Sequence, residues 1–400
     1  MANFTFSELI TFTRSTTATF VGSDGLIQSA AINAPRFDYN PATLAPRGLL
    51  FEEQRVNLAT YSQEPSNAAW GKTRASITAN VMTAPDGTLT GDKLVEDTSA
   101  TNTHRTSVPT ISMTSGTSYT FSIFLKAGER TFAVIALSAT TAGSAFGTNP
   151  LFFVDLLTGA ISSVSGTVTA SSVVPFPNGW WRVSVSALAT LTTTNFPTVF
   201  LAESGSSNVY TGDGTSGLFL WGAQVEANAF PTSYIPTVAS TVTRTADSAI
   251  ITGTNFARWY NYGQGSIVFS GDSVRPTVLS PATRTFQFDD GISANNSIRS
   301  GSTATLQVVD AGVSVVNLIP SPAIPFDGTV FKFASAFNLN DFASVTTGTV
   351  GTDSSGTVPV AITQLSLGGG AGAGIINGHI RTFAFYPYRL TNAQLQALAA

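Results

Sequence analysis

Cysteine is absent from all 400 residues, which excludes disulfides, thiolate metal sites and cysteine nucleophiles. Charge is scarce as well. Asp, Glu, Lys and Arg make up 10% of the chain, against about a quarter in an ordinary soluble domain. Lys and Arg number 19 and Asp and Glu 23, for a formal net charge of −4. No basic face is therefore available for a nucleic-acid backbone. No apolar run approaches the roughly 20 residues of a membrane span, so no membrane partner is expected. The start, Met1-Ala2-Asn3-Phe4, lacks the basic and apolar stretches of a secretory signal.

What replaces the charge is Thr, Ser, Asn and 35 Gly, on a background of 43% hydrophobic residues. Twenty-eight Phe, nine Tyr and five Trp can bury enough area to offset chain entropy, which argues against disorder. A Thr/Ser-rich surface without an export signal fits a protein that leaves the cell inside a larger particle. The length predicts two or three domains.

Turn signals crowd residues 1–58: Gly22-Ser23-Asp24-Gly25, Asn33-Ala34-Pro35, Asn40-Pro41 and Ala45-Pro46-Arg47-Gly48. Only short apolar stretches separate them, such as Leu49-Leu50-Phe51. This segment reads as an extended attachment arm lying along its own body or a neighbouring subunit. Residues 59–237 alternate in the manner of strands, as in Tyr119-Thr120-Phe121-Ser122-Ile123-Phe124-Leu125, with turns at Leu157-Thr158-Gly159 and Pro177-Asn178-Gly179. Many short strands of this kind predict a jelly roll or two-sheet sandwich. Residues 238–244 read as a linker, and 245–400 as a second β-sandwich. A strand is expected from Ala304 to Val309 among others. Thr391 with Gln394 forms a capping box, predicting a short C-terminal helix whose apolar edge is Leu395 and Leu398. The fold class is all-β: an arm and two sandwiches.

Three stretches carry a resemblance. The first runs from Phe12-Thr13-Arg14 through Gly25-Leu26-Ile27 to Pro35-Arg36-Phe37-Asp38. The second is Arg47-Gly48-Leu49-Leu50-Phe51-Glu52-Glu53-Gln54-Arg55-Val56-Asn57-Leu58. The third is Trp221-Gly222-Ala223-Gln224-Val225-Glu226 leading into Phe230-Pro231-Thr232-Ser233-Tyr234-Ile235. In order and content they resemble the head-spike and tail-fibre proteins of tailed bacteriophages, whose body is a carbohydrate-binding-module-like jelly roll. The resemblance spans about residues 1–245. The ending Ile380-Arg381-Thr382-Phe383-Ala384-Phe385-Tyr386-Pro387 resembles a concanavalin A/laminin-G-type sandwich. The resemblance implies a virion surface protein, assembled in the host bacterial cytoplasm, homotrimeric, bound to other capsid or tail proteins and often facing host surface glycans. Arg14, Arg36, Phe37, Arg47, Glu52, Glu53 and Arg55 are the arm residues that would carry attachment. A short chain without heptads or collagen repeats favours a capsid-surface spike or decoration protein over a receptor-binding tail fibre.

The residues offer little for catalysis, and no enzyme is expected. A nucleophilic triad needs a base, and only His104 and His379 exist. His379 lies in a packing strand and His104 in a loop expected to be exposed. The adjacent acids Glu52-Glu53 and Asp289-Asp290 would point to opposite faces of a strand, which does not suit glycoside hydrolysis. The jelly-roll resemblance implies a structural Ca²⁺ with Glu64 and Glu226 as ligands; the same two positions also suit ordinary surface or strand-edge acids. For a glycan or partner surface the candidates are Trp70, Trp180, Trp181, Trp259, Tyr260 and Tyr262. Because Trp180 and Trp181 are neighbours in a strand, one faces in and the other out. Core packing is the competing fate of all six.

Overall fold

The strand Ser118–Lys126 sets the frame of the first sandwich. At a period of two, Phe121, Ile123 and Leu125 enter one core, while Phe124 points to the opposite face and a separate cluster. This strand is interior to a six-stranded sheet with the spatial order Val168–Phe176, Trp180–Leu188, Ser118–Lys126, Gly217–Glu226, Gly91–Glu96, Ala75–Met82. A second six-stranded sheet covers it, in the order Ile161–Ser165, Leu151–Asp155, Phe132–Ala136, Thr198–Ala202, Arg105–Ser107, Gly71–Thr73. Ile135, Phe152 and Val199 from the second sheet meet Phe121, Val183 and Leu220 from the first in one core. The computed structural model describes residues 6–140, 143–274, 283–293, 295–300, 305–319, 321–370 and 374–400; Met1–Phe4 and the expected strand start at Ala304 lie outside them.

One backbone irregularity decides what the first sandwich shows to its neighbour. In Gly217–Glu226, Leu218 and Leu220 are core residues, and so are Ala223 and Val225. The inward parity thus changes from even to odd within one strand. The change falls at Gly222, where the register with Ser118–Lys126 shifts and φ is +64°. Glycine alone takes that conformation without strain, and a Cβ there would meet the Phe124 ring at 3.0 Å. The bulge turns Trp221, Gln224 and Glu226 onto the outer face of the sheet.

The second sandwich also has two sheets. One runs Thr11–Thr13, Ser248–Thr252, Gln364–Leu367, Phe286–Asp289, Ser297–Arg299, Leu306–Asp310, Val313–Leu318. The other runs Gly351–Asp353, Phe342–Val345, Phe331–Asn338, Gln264–Ser273, Gly378–Tyr386, Pro46–Phe51, Phe37–Tyr39. Phe269 and Phe333 from one sheet and Phe286 and Phe288 from the other fill the space between them. The strand pairings among the described residues are antiparallel, apart from an isolated parallel bridge between Thr283 and Gly374. The helix Asn392–Ala399 closes the chain, with the Thr391–Gln394 capping box formed and Leu395 buried.

The segment expected to be a separate arm is instead part of the second sandwich. Thr11–Thr13 extends one sheet beside Ser248–Thr252, and Pro46–Phe51 extends the other beside Gly378–Tyr386. Phe12, Leu49 and Phe51 belong to its core. Between these strands, a hairpin of Ala18–Val21 and Ile27–Ala30 reaches the first sandwich, where Ile27 packs with Phe124, Trp180, Trp221 and Tyr234. Short apolar strands gain more by completing a sheet edge than by standing alone. Residues 238–244 are not a loose linker either, because Val242–Arg244 pairs with Arg55–Asn57 and Arg244 is buried.

Candidate functional site

Five charged side chains meet, buried, where hairpin and sandwiches join. Arg36 donates from Nη1 to Glu52 Oε2 at 2.7 Å and from Nη2 to Asp247 Oδ2 at 2.5 Å. Arg14 reaches Asp247 Oδ1 at 3.1 Å, and Arg244 pairs with Glu52. All five side chains are buried. Ser233 adds its N–H and hydroxyl to the Glu52 carboxylate, each at 2.6 Å. Burial by itself would raise the Glu52 pKa, but Arg244, Arg36 and the Ser233 bonds hold it well below the usual carboxylate range. The partners come from three stretches of chain, so the cluster clamps residues 14–52, 233 and 244–247 together.

Beside the cluster lies a cavity of about 360 Å³, walled by both sandwiches and the hairpin. One end is charged. His379 sits between two carboxylates, with Nδ1 at 2.8 Å from Asp272 Oδ1 and Nε2 at 3.0 Å from Asp38 Oδ2. Arg47 stands 3.9 Å from Asp38 and 3.7 Å from Asp272. Burial alone would lower the His379 pKa; its bonds to Asp272 and Asp38 reverse this and raise it. Burial would likewise raise Asp272, but His379, Arg47 and Arg381 bring it down. With a carboxylate against each ring nitrogen, His379 keeps neither for a hydroxyl nucleophile. The other end is apolar, formed by Phe124, Val174, Phe176, Phe230 and Tyr234.

Three of the seven expected attachment residues are interior. Arg14, Arg36 and Glu52 cannot serve as surface contacts, because each is spent in the buried cluster. Arg55 pairs with Glu53, which also accepts from Asn377 at 2.9 Å. Phe37, at 47% exposure, and Arg47 remain accessible.

The aromatic candidates are corrected in the same direction. Trp70 and Trp180 are buried and donate to the Tyr61 and Thr83 carbonyls at 3.1 and 2.9 Å. Trp181 does face the other way from Trp180, but toward the main core, with Nε1 bonded to Leu156 O at 2.8 Å. Trp180 is therefore no sugar platform, and Trp181 is half-buried against the core. Trp259 and Tyr260 pack on Phe288 and Phe385 in the second core, leaving Tyr262 exposed.

Glu64 and Glu226 do not share a site. Glu64 is exposed and neighbours Asp92, whereas Glu226 is buried near Arg55, Arg182 and Arg244. The Glu226 carboxylate already accepts from Thr232 N at 2.9 Å, Thr232 Oγ1 at 2.5 Å and Gln224 Nε2 at 2.8 Å. These residues do not fit a calcium ion, and no His/Asp/Glu group suited to a metal occurs among the described residues. Asp290 caps its own turn, accepting from the Ile292 and Ser293 N–H groups. His104 is buried rather than exposed, with Nδ1 at 2.8 Å from Arg74 O and its ring against Tyr210.

Asp38, Asp247 and Asp272 were not singled out by sequence reasoning. Their one signal was rarity: in a chain with few charges, an isolated acid is a candidate for burial with a partner. No family model and no curated protein matches this sequence. Among solved structures, the mouse laminin α1 chain, domains LG4-5, is similar at 10% identity, over 72% of this chain and 86% of that one, with a TM-score of 0.22.

Proposed function

We propose that the protein is a non-enzymatic surface component of a tailed-bacteriophage particle, a capsid spike or decoration protein assembled as a homotrimer. One observation carries this reading. The three stretches that resemble head-spike and tail-fibre proteins converge on one buried network: Arg14 and Arg36 from the first, Glu52 from the second, and Ser233 from the third. The residues behind the resemblance are thus the ones that join the two sandwiches into one projecting body, which is what a particle ornament requires. A structural role is further supported by His379, whose two ring nitrogens are both engaged by carboxylates. Burial of Trp70, Trp180 and Tyr260 among the candidate sugar-stacking aromatics favours decoration over glycan recognition.

Quantified gels and imaging of purified particles test the proposal. A capsid ornament occurs in proportion to capsid subunits and is seen on the head. A copy number that follows tail symmetry, with density at the tail tip, would overturn it. Release of reducing sugar from host polysaccharide would overturn the non-enzymatic part.

A further inference from the structure

One cation lining the cavity forms no ion pair among the described residues. Arg182, on Trp180–Leu188, lines the cavity beside the charge cluster. Its Nη2 donates to Ser122 Oγ at 3.1 Å, its Nε is buried without a hydrogen-bond partner, and it makes no ion pair among the described residues. The Phe124 ring lies 5.5 Å from its Cζ, so one face of the guanidinium rests on an aromatic surface.

The other ions lining the cavity are matched. Asp38 and Asp272 hold His379 with Arg47 alongside, and Glu52 is shared by Arg36 and Arg244. In the cluster, Arg14, Arg36 and Arg244 face Glu52 and Asp247 in ion pairs, whereas half-buried Arg182 lies near Glu226 without forming one. An anion seated against such a guanidinium gains a charge-assisted contact in a site partly shielded from water, and the planar guanidinium suits a carboxylate.

The rest of the cavity fits an apolar body. Its volume of about 360 Å³ falls within the roughly 300–1,000 Å³ of small-molecule sites. Phe124, Phe176 and Tyr234 are packed edge-on, with Phe124–Phe176 centroids at 5.0 Å and Phe124–Tyr234 at 6.2 Å, and they wall the cavity near Arg182. We infer that the cavity binds a small organic carboxylate, whose anionic group pairs with Arg182 while its apolar part lies against Phe124, Phe176 and Tyr234. This does not depend on the virion reading, since the site is complete within one chain.

The test is titration of the intact chain with benzoate, phenylacetate and hexanoate, followed by thermal stability and tryptophan fluorescence. Trp221 reports on the site because its ring lies 5.4 Å from that of Phe124. At least one carboxylate binds saturably, and the neutral 2-phenylethanol binds about tenfold or more weakly, the scale of one charge-assisted contact. Arg182→Gln weakens the carboxylate by at least the same factor while keeping the thermal stability of the unliganded chain. Val174→Trp, at a cavity-wall position 39% exposed, blocks the space without touching the charges and abolishes binding; it decides the matter if Arg182→Gln does not fold. Absence of saturable binding for all three carboxylates, equal affinity for 2-phenylethanol, or unchanged affinity in a folded variant overturns the inference.

Discussion

Arg36 and Asp247, 211 positions apart in sequence, meet at 2.5 Å with neither side chain exposed. The same guanidinium reaches Glu52, and Glu52 in turn donates its backbone N–H to Asp247 at 2.9 Å. A single arginine thus ties the N-terminal segment to the start of the second sandwich.

Removing one partner leaves the other buried and unpaired, which costs about 3–5 kcal/mol. Arg36→Ala and Asp247→Ala should each lower stability by about that much in urea denaturation. The double variant should cost less than the two singles added together. Strict additivity would show that the pair is not coupled.

Stability should depend on pH through His379. Its folded pKa is raised above the ordinary 6.5, so its contribution is fully present below about 6.5 and is lost as pH rises through the folded value. Asp272 runs the other way: its folded pKa is lowered from 3.8, so its contribution is present above about 3.8 and is lost as pH falls. The Asp38–His379–Asp272 arrangement is therefore at full strength between about pH 4 and 6.5. Melting curves recorded from below pH 6 into the alkaline range should fall for the parent and stay flatter for His379→Gln. Parallel curves would contradict this account.

Deleting residues 1–51 should leave the second sandwich unable to unfold cooperatively. The deletion removes Phe12, Leu49 and Phe51 from the core and bares two sheet edges. Phe51→Ala alone should cost about 3–5 kcal/mol, a large part of a stability of roughly 5–15 kcal/mol. A truncated chain that kept the parent's calorimetric transition would show the segment to be dispensable.

Trp180→Ala should destabilise by about 3–5 kcal/mol through the void it leaves among Phe124, Trp221 and Tyr234. Tyr262→Ala, at an exposed ring, should stay within about 0.5 kcal/mol. Chemical denaturation of both variants makes the comparison.

Glu226→Ala should cost about 1–3 kcal/mol by stranding the Thr232 and Gln224 donors. Chelators should leave the melting temperature unchanged. A drop on chelation, reversed by calcium, would reinstate a metal at this position.

Strand character was legible at Tyr119–Leu125 because alternation with a period of two is a local property, and the Thr391–Gln394 cap was legible for the same reason. What misled was the outer face. Trp180 looked available for a ligand because nothing nearby in sequence covers it; Ile27 and Tyr234 cover it from afar. Arg14 and Arg36 looked like contacts for a partner, since turn-rich surroundings usually mean exposure, and their carboxylates lie up to 233 residues away.

By itself, then, the sequence determined the all-β class, the strand periodicity, the C-terminal cap and the scarcity of acids and bases. Those follow from residue type and spacing along the chain. Only the tertiary structure decided that the N-terminal segment completes the second sandwich and that Arg14, Arg36, Glu52, Arg244 and Asp247 pair inside. It alone brought Asp38, Asp272 and His379 together and left Arg182 without an ion pair among the described residues. Burial and ion pairing depend on which distant segments share a space, and no local pattern encodes that distance.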